Sequence, residues 1–118
     1  MKTIKIAADN KISIIDVDFG DYKAMQKAVG GYVETVSTER MYDFFKRPVM
    51  MLVDEEGHMK ELKLNVIGTA FYGGVPIVGD IVLVQPAGEY GEDMEGIGEP
   101  EETLEMLVER FRFLEKAE

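Results

Sequence analysis

Two uninterrupted apolar runs constrain the fold of this chain more than any other feature of its sequence. Residues 49–53 read Val-Met-Met-Leu-Val, and residues 81–84 read Ile-Val-Leu-Val. Each run adjoins turn residues, and a strand that has no polar face must be covered on both sides. The runs therefore predict two strands inside a sheet that other elements cover.

Three further segments alternate polar and apolar residues, as a half-buried strand does. Residues 2–7 and 11–17 are separated by Asp9-Asn10, which is typical of a turn, so the two segments predict a hairpin. Residues 32–37 alternate in the same way and predict another strand.

Three short segments have the composition of helices or helical turns. Asp21 is a candidate N-cap for a helix that stops at Gly30. Residues 39–45 predict a helical turn, and Asn65 is a candidate N-cap for a short helix that extends through Phe71.

The connecting segments are expected to be irregular or extended. Residues 54–57 read Asp-Glu-Glu-Gly and predict a turn in which Gly57 is able to take a positive φ. Residues 58–64 are expected to extend outward again. Residues 86–99 contain four glycines and five acids, which predicts a polar linker or mobile loop.

The C-terminal segment predicts the clearest helix of the chain. Pro100 suits the first helical position, and the acids that follow it suit the positive end of the helix dipole. An apolar stripe recurs at helical spacing and comprises Leu104, Leu107, Val108, Phe111 and Leu114. Burial of five large apolar side chains is worth on the order of 10 kcal/mol before entropy is subtracted. The stripe is therefore expected to pack either on the sheet of the same chain, which a domain of this size favours, or on a second copy.

These elements together predict one α+β domain, with a mostly antiparallel sheet covered by a C-terminal amphipathic helix and one or two short helices. The expected division is an α+β core over residues 1–85, an acidic Gly-rich loop over residues 86–99, and a C-terminal helix of the same domain over residues 100–118.

The net charge of −10 is concentrated in one part of the chain. Residues 64–109 contain ten acids and no lysine or arginine, whereas the remainder holds 13 acids and 13 bases. Eight of the ten acids define what we call the acidic surface: Glu89, Glu92, Asp93, Glu95, Glu99, Glu101, Glu102 and Glu105. Direct binding of nucleic acid or membrane is not expected, because both interactions need lysine and arginine. The acids form either a solvated tail or a surface for a basic protein partner.

Several kinds of chemistry are missing from the sequence. Cysteine is absent and His58 is the only histidine, which excludes thiol nucleophiles, disulfides and zinc sites built on cysteine or on two histidines. Residues 16–21 lack the glycine and glutamate positions of a calcium loop, and residues 68–74 lack the Lys-Ser/Thr of a phosphate-binding loop. No catalytic residue, metal ligand or cofactor is therefore predicted. No apolar run approaches the ~20 residues of a membrane span, so a cytoplasmic protein is expected.

Part of the chain resembles small proteins of phages, plasmids and Firmicute-type bacteria that are catalogued as a domain of unknown function. The shared features are an acidic-Gly turn, an Asn, a Gly-Thr-Ala step and a Gly-Asp pair before a last strand; they lie here at residues 54–57, Asn65, residues 68–70 and residues 79–80. The resemblance implies a mobile-element or accessory context and carries over no catalytic residue. If the family shares a ligand surface, the polar groups expected to line it are Asn65, Thr69, Tyr72 and Asp80. Structural roles in a cap and a turn are the alternative.

Three functional hypotheses follow from these observations. The first is a small non-enzymatic accessory protein that binds a basic protein partner, as a monomer or as a homodimer through the C-terminal helix. The second is a DNA-mimic inhibitor whose acidic surface stands in for phosphates. The third is a small-ligand sensor or enzyme that uses residues 65–80.

Overall fold

The two apolar runs form neighbouring strands at the centre of the sheet. A computed structural model describes residues 1–117, which contain seven strands and four helices. The strands are β1 (Lys2–Ile6), β2 (Lys11–Asp16), β3 (Val33–Val36), β4 (Met50–Asp54), β5 (Ile81–Ala87), β6 (Asp93–Gly96) and β7 (Glu115–Lys116). The helices are α1 (Tyr22–Val29), α2 (Glu39–Phe45), α3 (Val66–Phe71) and α4 (Pro100–Arg110).

The sheet has the order β3-β4-β5-β1-β2-β7, and β6 pairs with β5 outside this order. Neighbouring strands are antiparallel except for β2 and β7, which are parallel. The predicted α+β domain with a mostly antiparallel sheet is confirmed. The predicted hairpin is also present, since Ile4 of β1 lies opposite Ile14 of β2.

Helices cover both faces of the two central strands, as the apolar runs require. Met51 and Leu83 face a larger core that also contains buried side chains of α2, α3 and α4. Leu52 and Val82 face a smaller core that contains Met25 of α1. Because successive residues of a strand point to opposite faces, every residue of an apolar run contributes to one of the two cores.

The predicted helix caps are present. The Asp21 carboxylate accepts a hydrogen bond from the Lys23 N–H at 3.0 Å, and Gly30 ends α1 with a φ of 98°. The Asn65 side chain accepts from the Gly68 N–H at 2.9 Å, which caps α3. These bonds satisfy donors that the first turn of a helix leaves without a partner.

The segment 86–99, predicted as a loop, contains the end of β5 and the whole of β6. Val84 pairs with Met50 on one side and with Gly96 on the other, so β6 lies on the same side of β5 as β1. The pairing joins backbone groups, which every residue except proline carries, so a polar segment can form the strand. Ile97 follows β6 and is buried in the larger core.

Two residues hold β6 where it meets β1. The buried Thr3 hydroxyl donates to the Leu83 carbonyl and accepts from the Ile97 N–H at 3.1 Å. A Cβ atom added to Gly96 would lie 1.9 Å from the Lys2 carbonyl oxygen. Position 96 therefore requires glycine because the two backbones approach too closely for any side chain.

The C-terminal helix is shorter than predicted. It ends at Arg110 rather than near residue 118, and the chain then turns to form β7 beside β2. The Lys11 ammonium pairs with the Glu115 carboxylate across β2 and β7, and this hydrogen bond raises the pKa of Lys11 above its usual value. Leu114 is buried, although it lies outside the helix.

The apolar stripe packs within the same chain. Leu104 and Leu107 are buried in the larger core, where α4 contacts β1 and β2, and Phe111 packs against the same core. The prediction that the stripe covers the chain's own sheet is therefore correct. Within residues 1–117 the longest helix has 11 residues, so none is long and apolar enough to cross a membrane.

The segment between β4 and α3 differs from its prediction. Residues 58–61 form successive turns instead of an extended segment, and Leu64 makes an isolated bridge to Val78. Glu61 takes the left-handed conformation with a φ of 54°, whereas Gly57 does not have a positive φ. Gly57 is needed for space instead, since an added Cβ would lie 2.8 Å from Cγ2 of Val78.

Candidate functional site

The acidic surface is built on the β5–β6 hairpin and on the first turns of α4. The hairpin turn spans residues 88–92, and β6 leads into α4 after three residues, so the eight acids follow one another without a base between them. Seven of the eight are exposed, and Glu95 is half-buried. The fold therefore leaves most of these carboxylates at the protein surface.

Side-chain hydrogen bonds of Gln85 and Arg47 hold this segment on the sheet. The Gln85 side chain donates to Glu95 Oε1 at 2.9 Å and accepts from the Gly98 N–H at 3.0 Å. The Arg47 guanidinium donates to the Gly98 carbonyl at 3.0 Å and to Thr103 Oγ1 at 3.1 Å. Arg47 thus bonds to uncharged oxygens and, in the described part of the chain, lies within 4.0 Å of no carboxylate.

Ion pairs compensate only a small part of the charge. Lys2 Nζ lies 3.8 Å from Glu101 Oε1, and Lys116 pairs with Glu105. Both pairs are more than half exposed, and such pairs contribute about 0–1 kcal/mol. In the described part of the chain, the other six acids of the surface have no basic group within 4.0 Å.

Tyr90 lies at the tip of the hairpin among these acids. Its side chain is 87% exposed, more than any other large apolar residue that the structure describes. Gly88 and Gly91 on either side have positive φ values of 87° and 71°, and Glu92 accepts a hydrogen bond from the Tyr90 N–H at 2.9 Å. The turn therefore holds an aromatic ring in water between carboxylates. Tyr90 is not among the residues predicted from the sequence to contact a partner.

Asn65, predicted as part of a ligand surface, is buried and fully bonded. It is 1% exposed. Its amide nitrogen donates to the Ile6 carbonyl at 3.0 Å and to the Gly79 carbonyl at 2.9 Å, while its oxygen caps α3. The side chain therefore joins β1, α3 and the turn before β5, and leaves no donor for a ligand.

Of the other three residues of that predicted surface, Thr69 and Asp80 are also bonded within the protein. Thr69 Oγ1 bonds to the N–H of Ile77 at 3.0 Å, and Asp80 accepts from the Ala8 N–H at 3.0 Å and lies 3.4 Å from the Lys5 ammonium. Asp80 lies in a different surface groove from Tyr72, whose side chain is partly exposed. Of the four, Tyr72 is the one whose hydroxyl has no hydrogen bond within the described chain.

Tyr72 belongs to a concavity that the sequence did not predict, which we call the edge pocket. It has a volume of about 180 Å³ and lies between the β3–β4 edge of the sheet and residues 72–78. Val36, Val53 and Ile77 form its apolar floor. Its polar residues are Glu34, Asp54, Glu55, His58 and Tyr72.

The walls of the edge pocket are fixed by backbone geometry. Gly73 and Gly74 have positive φ values of 68° and 94°, and they turn the chain back over the sheet after α3. His58 Nε2 lies 3.1 Å from the Pro76 carbonyl oxygen. Because a carbonyl can only accept, Nε2 carries the proton, and the bond ties residues 72–78 to the turn after β4.

The alternation of side chains between the two faces of β3 could have indicated part of this pocket. Glu34 lies opposite Val53 and therefore points to the face that carries the larger core, whereas Glu55 lies in the turn after β4. The pairing of β3 with β4 is a tertiary contact, however, and so is the position of residues 72–78. No group of three or more acidic or histidine side chains in residues 1–117 is arranged to hold a metal ion.

These features define a small α+β domain in which eight acids follow one another along the β5–β6 hairpin and the start of α4. The model of the family described as Domain of unknown function (DUF3846) matches residues 1–111, and the chain belongs to this family. The resemblance to a domain of unknown function is thereby confirmed. No curated protein and no solved structure matches the chain.

Proposed function

We propose that this protein is a small non-enzymatic accessory protein that binds a basic surface of another protein through its acidic surface. The proposal is supported by one observation above all: six of the eight carboxylates have no basic group within 4.0 Å in the described chain, although 13 bases are present. An uncompensated charge array opposes folding by self-repulsion and steers an oppositely charged partner toward the protein.

The exposed Tyr90 supports the same proposal. Tyrosine is enriched among the residues that contribute most to protein–protein binding, because its ring offers a large contact area with a polar end. In water, a side chain that is 87% exposed contributes little to folding. We therefore place Tyr90 at the centre of the proposed contact, with Glu89 and Glu92 beside it.

The proposal includes a cellular setting. A chain without cysteine fits a reducing compartment such as the cytoplasm, and the mobile-element or phage context rests on the resemblance described above. A homodimer through the C-terminal helix stays a prediction, and it would have to use the exposed side of α4, where Met106 lies.

Affinity capture with three forms of the full chain tests the proposal. The first is the wild type. The second replaces Glu89, Glu92 and Glu102 by glutamine. The third form changes the net charge by the same amount outside the acidic surface, through Glu39→Gln, Asp43→Asn and Glu61→Gln. We expect a partner that is retained at about 0.05 M salt, lost near 0.5 M as the Debye length falls, lost with the second form and kept with the third.

The same experiment contradicts the proposal if the second and third forms capture a partner equally well, because net charge alone then explains the binding. Competition by duplex DNA separates two classes of partner. Displacement by DNA indicates that the partner's basic site also binds nucleic acid, which is the DNA-mimic form of the proposal. Retention in the presence of DNA indicates a basic site of another kind.

A further inference from the structure

The edge pocket has a composition that selects its ligand by charge. Its floor is apolar, its rim carries the carboxylates of Glu34 and Glu55, and one wall carries the Tyr72 ring. In the described chain, neither Glu34 nor Glu55 has a basic group within 4.0 Å. Its third acid, Asp54, has a buried carboxylate that pairs with Lys60 Nζ at 2.7 Å.

The size of the pocket narrows the class of ligand. Pockets that bind drug-sized molecules and cofactors have volumes of roughly 300–1,000 Å³, whereas the edge pocket has about 180 Å³. A nucleotide or a folded cofactor is therefore too large. A short alkyl chain with one charged end fits the volume and would cover the apolar floor.

The groups around the pocket favour a cation over an anion. Glu34 and Glu55 repel an anion, and the Nε2 proton of His58 is engaged by the Pro76 carbonyl. Tyr72 presents an aromatic ring that is 39% exposed, and a ring face attracts a cation placed over it. An ammonium group can thus contact two carboxylates and one ring while its alkyl chain contacts Val36 and Val53.

We propose that the edge pocket binds a primary alkylammonium group of the kind that a lysine side chain carries. This proposal does not rest on the proposed function. β4 and β5 are antiparallel, so the pocket lies at the end of the sheet where β5 begins, and the acidic hairpin lies at the end where β5 finishes. Seven residues of strand put roughly 20 Å between the two ends.

Nuclear magnetic resonance titration of the ¹⁵N-labelled full chain tests this inference. The probes are n-butylammonium chloride, Nα-acetyl-lysine methylamide, and n-butanol as a matched uncharged control. We expect both cations to shift the backbone amides of Glu34, Val53, Glu55 and residues 72–78 in a saturable way, and n-butanol to bind at least tenfold more weakly. Tighter binding of the lysine derivative indicates that the natural ligand is a lysine side chain of a protein, and tighter binding of n-butylammonium indicates that it is a free amine.

Charge-matched variants distinguish binding in the edge pocket from a general effect of the protein's negative charge. Glu34→Gln combined with Glu55→Gln should weaken binding of the tighter cation at least tenfold. Glu39→Gln combined with Asp43→Asn, which removes the same charge outside the pocket, should change it by less than twofold. Tyr72→Phe keeps the ring and should bind like the wild type, whereas Tyr72→Ala should bind several-fold more weakly.

Three outcomes overturn the inference: equal binding of n-butanol, amide shifts that do not saturate or that scatter over the protein, and unchanged affinity in the Glu34/Glu55 double variant. The substituted glutamates have exposed side chains, so these variants are expected to fold. The spectrum of each variant without ligand verifies the fold before the titration begins.

Discussion

Residues 65–80 and the acidic surface use polar side chains in opposite ways. Between residues 65 and 80, Asn65, Thr69 and Asp80 bond to backbone groups of other elements. In the acidic surface, the backbone of β6 pairs with β5, and most of the carboxylates face solvent. The comparison teaches that an uncharged or short polar side chain near buried backbone is used for folding, whereas exposed like charges on a hairpin remain free for binding.

The sharpest test of this contrast is Asn65→Ala. It removes the side-chain hydrogen bonds to the carbonyls of Ile6 and Gly79 and to the N–H of Gly68 in a buried site. Each unsatisfied buried group costs about 1–3 kcal/mol, so the free energy of unfolding should fall by about 3 kcal/mol or more in urea denaturation. Asn65→Asp keeps the capping oxygen but places a second carboxylate oxygen against the Ile6 and Gly79 carbonyls in a buried site, so its loss should be at least as large. A decrease of less than 1 kcal/mol in the free energy of unfolding of Asn65→Ala would show that these hydrogen bonds do not stabilise the contact between β1, α3 and the turn before β5.

Gly96→Ala tests whether the acidic segment is held rigidly on the sheet. The added methyl would overlap the Lys2 carbonyl oxygen, so β6 has to move away from β1. Overpacking of this kind costs typically 1–3 kcal/mol, and we expect a loss of about 2 kcal/mol in thermal or urea unfolding. Gly20→Ala is the matched control, because its Cβ would meet only the Asp18 carboxylate, at 3.2 Å. Equal stability of the two variants would mean that β6 is loosely attached.

Glu99→Gly should stabilise the protein by about 1 kcal/mol. Glu99 precedes α4 in the left-handed conformation, with a φ of 51° and a ψ of 57°, and its side chain makes no capping bond. A residue other than glycine is destabilised there by roughly 1–2 kcal/mol. Glu102→Gly removes the same charge inside the helix and should destabilise by about 1 kcal/mol. Opposite signs in calorimetry support the conformational explanation, and equal signs would indicate that charge removal dominates.

The smallest effect is expected for the acids that we assign to binding. Glu89→Gln, Glu92→Gln and Glu102→Gln should each change the free energy of unfolding by less than about 0.5 kcal/mol, because exposed side chains without a specific partner have little influence on stability. Urea denaturation of the single variants measures this. A loss above 1 kcal/mol at any of these positions would place that acid with Asn65, among the residues that maintain the fold.

Most of the elements could be predicted because their determinants are local. The alternation in β1 and β2, the apolar runs of β4 and β5, and the caps Asp21 and Asn65 depend on residues that are close in sequence. The errors occur where a distant segment decides. β6 was predicted as a loop because its side chains are polar, yet β5 supplies its backbone partners. The predicted helix after Pro100 is longer than the observed one, because the pairing of β7 with β2 requires the chain to turn back after Arg110.

The candidate sites divide in the same way. The acidic surface could be found by counting charges along the chain, because its members are contiguous in sequence. The edge pocket could not be found by counting charges, because Glu34, Glu55 and Tyr72 are far apart along the chain. They come together only when β3 pairs with β4 and residues 72–78 fold over the two strands.

By itself, the amino-acid sequence determined the fold class, most of the helices and strands, and the position of the excess negative charge. These properties depend on composition and on local periodicity, which short-range sterics and hydrogen bonding translate directly into structure. Only the tertiary structure decided which polar groups stay available. A side chain such as that of Asn65 loses its freedom when distant backbone carbonyls approach it, and no local pattern records where those carbonyls will be.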